Sequence, residues 1–147
     1  MSVEITDSEA QALLQMEKHY LENVSYVFTG LGEAFRIPLF SSDRREEFVL
    51  DITRGRVAIK KTTLQNRARK TVVLARLDLG GSPHRNPDGE EIACPHMHIY
   101  REGYGDKWAV PLPKVFTNSS DIQITLDEFM DYCNITTKPD IKWGLFS

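Results

Sequence analysis

Cysteine is scarce in this chain. Only Cys94 and Cys133 occur among 147 residues, so a dense disulfide framework is excluded, and such sparse usage suits a reducing compartment with free thiols. A single Cys94 to Cys133 bridge is the one pairing left open. Long hydrophobic runs are absent too, for no stretch approaches the roughly 20 apolar residues of a membrane span. The start MSVEITDSEAQ has neither the basic lead and apolar core of a secretory signal nor the Arg-rich pattern of an organelle address. The expectation is a cytoplasmic protein with no membrane insertion. Repeats, low-complexity tracts and linkers are missing as well. With 41% apolar and 27% charged residues, a chain of this length can bury about two thirds of its unfolded surface, which predicts one domain over residues 1–147.

Acidic residues are missing from one long stretch. Between Arg54 and Leu77 there is no Asp or Glu, while Arg54, Arg56, Lys60, Lys61, Arg67, Arg69, Lys70 and Arg76 supply eight of the chain's 18 Lys and Arg. The net charge is nevertheless −3, so the acids gather toward the two ends and the domain is expected to be electrically polarised.

What is present reads as α+β. Thr6-Asp7-Ser8-Glu9 has the form of a capping box, and Ala10, Leu13, Leu14, Tyr20, Leu21 and Val24 follow near helical spacing, predicting a helix from Asp7 to about Asn23. Strands are predicted near Phe35–Phe40, Glu47–Thr53, Arg56–Thr63, Thr71–Leu79, Ile92–Tyr100 and Lys107–Leu112. Arg54-Gly55 reads as a tight hairpin, and Gln65 to Arg69 as an exposed basic tip between the third and fourth strands. Thr125-Leu126-Asp127-Glu128 reads as a second capping box, opening a helix that ends near Asn134. The expected fold is a six-stranded, mainly antiparallel sheet with a helix near each end. Trp143, Leu145 and Phe146 are too apolar for a free tail and are expected to dock on the body or on a partner.

The chemistry concentrates in Cys94-Pro95-His96-Met97-His98-Ile99-Tyr100. In a strand, Cys94, His96, His98 and Tyr100 point one way and Pro95, Met97 and Ile99 the other, so two of the four histidines share one face. Three chemistries fit. His96 and His98 suit an acid and base pair for metal-free RNA cleavage, which also needs a cation for the phosphorane charge, supplied by Arg101, Lys60 or Arg76. The same two imidazoles with the Cys94 thiolate and His84 form a ligand set whose donor types favour zinc, although no cofactor is favoured over none. Cys94 as a nucleophile lacks an orienting third residue. In the blandest reading one imidazole caps a carbonyl and the other faces solvent.

A third feature is nucleic-acid binding. Arg56, Lys60, Arg67, Arg69, Lys70 and Arg76 could track a phosphate backbone, and Tyr100, Tyr104 and Trp108 could stack bases. His84 and Arg85 join the set from Pro83-His84-Arg85-Asn86-Pro87-Asp88-Gly89, a turn-rich loop that leads into the histidine strand.

The histidine strand with Arg101-Glu102-Gly103 and Asp106-Lys107-Trp108-Ala109 resembles the Pro-His-x-His strand of small bacterial domains of unknown function, several encoded near toxin and antitoxin genes. The fuller run from His84 through Trp108 resembles an uncharacterised bacterial and prophage family of about this length. Cys94 departs from the shorter pattern, which has a second proline there. The resemblance implies mobile-element biology, as a toxin, antitoxin or defence protein, and no established catalytic residue. The leading expectation is an RNA-directed protein acting as a metal-independent endoribonuclease through His96, His98 and Arg101. The alternatives are a binding module docking on a partner protein or nucleic acid, and a small zinc protein; a homodimer formed through an edge strand is open.

Overall fold

Thr6 opens the first helix as its capping box dictates: its hydroxyl accepts from the Glu9 backbone N–H, and the Glu9 carboxylate accepts from the Thr6 N–H. The structure, a computed structural model, describes residues 4–28, 32–55 and 61–144. Helix α1 (Asp7–Gln15) is shorter than the apolar spacing suggests. Met16 is already extended, and Lys18–His19 forms strand β1 instead of a further helical turn. The cause is tertiary. The Lys18 ammonium, fully buried, donates to the carbonyls of Leu14, Met16 and Cys133, closing off carbonyls that a helix end leaves without partners. Leu21 and Val24, counted toward a longer helix, are exposed.

After β2 (Tyr26–Phe28), four long strands form an antiparallel meander: β3 (Ala34–Ser41), β4 (Glu47–Arg54), β5 (Thr62–Ala68) and β6 (Val72–Leu79). The third of these is displaced from its expected place at Arg56–Thr63. Arg54 pairs with Thr62 and the Gly55 N–H reaches the Lys61 carbonyl, so Arg54-Gly55 does not make a two-residue hairpin; residues 56–60 lie outside the described residues. Gln65 and Arg67 are in the strand, and the tip is Arg69-Lys70. Both of those residues have positive φ (49° and 69°), within a three-residue loop that joins the paired Ala68 and Val72, and no Asn or Gly announces it.

The segment expected as one strand from Ile92 to Tyr100 is broken. His84–Arg85 (β7) and Glu91–Ile92 (β8) make a small hairpin, and the histidine strand β9 is only His96–Ile99. Strand β10 (Ala109–Pro111) forms one sheet edge. Helix α2 (Ile122–Tyr132) starts before the expected box, at Asp121, whose carboxylate accepts from the Gln123 and Ile124 N–H groups. Thr125 lies inside the helix, its hydroxyl donating back to the Asp121 carbonyl. Two short strands follow, β11 (Ile135–Thr137) and β12 (Ile141–Trp143).

The main sheet therefore has eight strands, ordered β10-β9-β6-β5-β4-β3-β1-β11, not six, and two two-stranded pairs accompany it. All its pairings are antiparallel except β1 with β11. One continuous core joins the apolar faces of both helices to the inner pleat. Across that pleat Ile52, Leu64, Leu77 and Met97 stand in one cross-strand row, all fully buried. Trp143 packs on Phe28 with ring centroids 5.0 Å apart, while Leu145 and Phe146 lie outside the described residues. Among those residues no helix is long and apolar enough to cross a membrane.

Candidate functional site

The outer pleat carries the site, because the strand period of two sends the neighbours of each core residue outward. Beside the apolar row run two polar ones. Asp51, Gln65, Arg76 and His98 oppose one another across β4, β5, β6 and β9, and so do Thr53, Thr63, Asp78 and His96. A one-residue irregularity sets this phase. Asn66 pairs with Ala75 but Arg67 pairs with Val73, so Leu74 is an extra residue that reverses the pleat of β6. Both Leu74 and Ala75 are thereby buried, while Arg76 and Asp78 face outward.

Four side chains converge there. The Nε2 atoms of His96 and His98 each lie 3.1 Å from Asp78 Oδ2. Arg76 reaches Asp78 through Nε at 3.2 Å, Asp106 through Nη1 at 2.7 Å and His98 Nε2 through Nη2 at 3.0 Å. The imidazoles are almost wholly buried, with 3% and 1% of their side chains exposed. Burial opposes ionisation of Asp78, but the His98 hydrogen bond and the Arg76 charge outweigh it and hold the carboxyl well below the usual carboxylate range.

The partners of His98 fix where its protons sit. Nδ1 lies 2.8 Å from the Asp106 carbonyl oxygen, which can only accept, so Nδ1 carries a proton. Nε2 then faces a donor and an acceptor at once. Unprotonated, it accepts from Arg76; protonated, it donates to Asp78. A nitrogen with both partners in place can gain or lose a proton without moving. His96 instead donates through Nε2 to Asp78, and its buried Nδ1 has no partner among the described residues.

His84 completes a cluster of three imidazoles. Its ring meets that of His98 edge-on, with centroids 4.5 Å apart, while Nε2 donates to the Lys107 carbonyl. The Asn86-Pro87-Asp88-Gly89 turn holds this loop through Gly89 N–H to the Asn86 carbonyl and Glu90 N–H to Asp88. The buried Asn86 side chain both donates to and accepts from the Ala109 backbone, tying the loop to the sheet edge.

Asp78, His96 and His98 offer ligand atoms all within 4.8 Å of one another, a donor set of the kind that holds divalent zinc or iron. The Arg76 guanidinium lies against both His98 Nε2 and Asp78, so an ion held by this triad would share two of its ligands with a fixed cation. Cys94 stands outside the triad, with its thiol donating to the Asp78 carbonyl. Burial and the nearby Asp78 charge push that thiol upward, away from the thiolate that a nucleophile or a metal ligand needs.

The remaining sequence candidates scatter. Arg101 is not at the histidines: it stacks on Trp108 at 4.1 Å and lines a groove with Ile99 and α1, on the other face of β9. Tyr100 is buried, its hydroxyl bonded to the Ile5 backbone, because β9 ends before the alternation reaches it. Arg67 shares the histidine face but is clamped by both Asp51 oxygens. Arg69 pairs with Glu46 and Glu9, and Arg85 with Glu91. Lys70 is exposed at the tip, and Arg56 and Lys60 lie outside the described residues.

Asp78 and Asp106 went unnoticed in the sequence. Alternate charges, Arg76 and Asp78, in the otherwise apolar Val72-Val73-Leu74-Ala75-Arg76-Leu77-Asp78-Leu79 run are the available signal for Asp78. Asp106 stands in the run that carries the family resemblance, but it enters the site through the turn after β9 and has no spacing relation to the histidines.

A model of one protein family matches residues 5–135. No curated protein and no solved structure matches the chain. That match takes in the site and nearly the whole fold, so the chain belongs to DUF6978, a family of unknown function.

Proposed function

We propose that this face cleaves RNA without a metal, as an endoribonuclease of toxin type acting in the cytoplasm. The observation that carries the reading is His98 Nε2, held between the Arg76 donor and the Asp78 acceptor. In this mechanism one imidazole of the His96 and His98 pair takes the proton of the ribose 2′ hydroxyl, and the 2′ oxygen attacks phosphorus. The other protonates the departing 5′ oxygen, leaving a 2′,3′-cyclic phosphate. Arg76, rather than Arg101, meets the phosphorane charge. It can do so by exchanging the Asp106 carboxylate, a partner with 36% of its side chain exposed, for a phosphate oxygen.

The test is incubation of untagged protein and the His96→Ala, His98→Ala double variant with mixed RNA, with and without chelator. Cleavage by the wild type alone that survives chelation is expected, with a loss of about 10²-fold or more in the variant. Loss of cleavage with chelator would move the chemistry to a metal held by Asp78, His96 and His98. The burial of both imidazoles favours a second reading, in which they are structural and the chain is a binding module, an antitoxin or inhibitor, docking on nucleic acid or on a partner protein. Cleavage by no sample would make that reading the leading one.

A further inference from the structure

A cavity of about 350 Å³ opens beside Asp78 and Arg76, lined also by Lys61, Thr63, Gly81 and Ser82. Its chemistry differs from that of the histidine cluster. Gly80 and Gly81 turn the chain out of β6 with φ of 74° and 120°, conformations that residues with a Cβ rarely adopt. The turn leaves the backbone N–H groups of Gly81 and Ser82 without a hydrogen-bond partner among the described residues. The Ser82 hydroxyl also has none there. Lys61 lies over the turn, with Cε 3.9 Å from where a Gly81 Cβ would stand, and its ammonium makes no ion pair among the described residues.

The charges in the cavity are unequal in availability. Asp78 is answered by Arg76, His96, His98 and Thr63, and Arg76 is answered by Asp78 and Asp106. Lys61 is left over. A surplus ammonium, two free amide N–H groups and a hydroxyl stand around one concavity whose carboxylate, Asp78, is already taken up by four other donors. We propose that this cavity is a phosphate-binding subsite in which Lys61, the Gly81 and Ser82 N–H groups and the Ser82 hydroxyl hold a phosphate group. Resting on the RNA-cleavage reading, the subsite seats a phosphate next to the scissile one, placing the strand along β6 with its reacting group over Arg76. A free phosphate and an RNA phosphate share this chemistry.

The experiment is titration of the isotope-labelled full chain with inorganic phosphate at constant ionic strength, followed at the backbone amide resonances. Saturable shifts at Gly81 and Ser82 are expected, with affinity falling about tenfold in Lys61→Met and restored in Lys61→Arg. Equal shifts with chloride alone, shifts confined to other amides, or an affinity unchanged in Lys61→Met would each overturn the subsite. Repeating the titration with a single-stranded RNA oligonucleotide separates the two sources: tighter binding than inorganic phosphate at the same amides identifies the polymer, and equal binding identifies a free phosphate site. The cleavage reading fails separately. Saturable phosphate binding in a protein that cuts no RNA keeps the subsite and removes the nuclease, whereas cleavage without those shifts does the reverse.

Discussion

Asp78 takes hydrogen bonds from Thr63, Arg76, His96 and His98, so its carboxylate organises the site more than either histidine does. Its depressed folded pKa has a pH consequence whose sign follows from linkage. Below the unfolded value of about 3.9, the unfolded chain binds this proton and the folded one does not. The stability Asp78 confers is thus complete above about pH 4 and is lost as pH falls through the folded value. Urea unfolding of the wild type and Asp78→Asn should show a stability gap at pH 5. It should shrink by about 1 kcal/mol at pH 3, and a gap unchanged there would sink the assignment. At this scale the sequence was half legible. His96 and His98 declared their shared face through spacing, but the choice of Arg76 over Arg101 depended on pairing β6 with β9, and no local pattern encodes which strands become neighbours.

Among the elements, β6 shows most directly how backbone placement makes the site. Its extra residue at Leu74 lets an apolar first half and an Arg-x-Asp second half serve one sheet. Deleting Leu74 should therefore leave a regular strand, with Val72, Ala75 and Leu77 still inward and Arg76 and Asp78 still outward. The cost is that of one buried leucine, about 2 to 5 kcal/mol, so the deletion should keep a cooperative thermal transition by circular dichroism at a lowered midpoint. A variant with no cooperative transition would contradict the bulge. Legibility varied among elements for physical reasons. The Thr6 box and strands β3, β4 and β6 were readable because their signals are local, whereas β5 lies about six residues beyond its expected place. The early end of α1 was not, since Lys18 bonds across to Cys133. The start of α2 was misplaced because Asp121 and Thr125 both offer a capping oxygen, and the one preceding the full apolar stripe won.

For the whole molecule, folding answers part of the charge expected from the acid-free segment, at Arg67, Arg69 and Arg76. Arg67 meets Asp51, Arg69 meets Glu46 and Glu9, and Arg76 meets Asp78 and Asp106, acids that apart from Asp78 are remote in sequence. Binding to single-stranded RNA should show it. Each phosphate contact contributes roughly −0.7 to the slope of log K against log salt. Eight contacts would give about −5.6, whereas Lys61 and Arg76 acting alone would give about −1.4. A measured slope near the larger figure would mean that the ion pairs open on binding. The family match adds no activity to this picture, and the eight-stranded count exceeds the expected six because β1 and β11 are too short to stand out in a sequence.

Lys18 also sets an order of events during synthesis. Its ammonium is capped partly by the Cys133 carbonyl, and its strand pairs with residues 135–137. A nascent chain halted before residue 133 would therefore leave a cation facing apolar Phe48 with one of its acceptors still inside the ribosome. The amino-terminal helix cannot seal until the carboxyl-terminal one arrives, so the β1–β11 edge of the sheet closes only after most of the polypeptide has emerged.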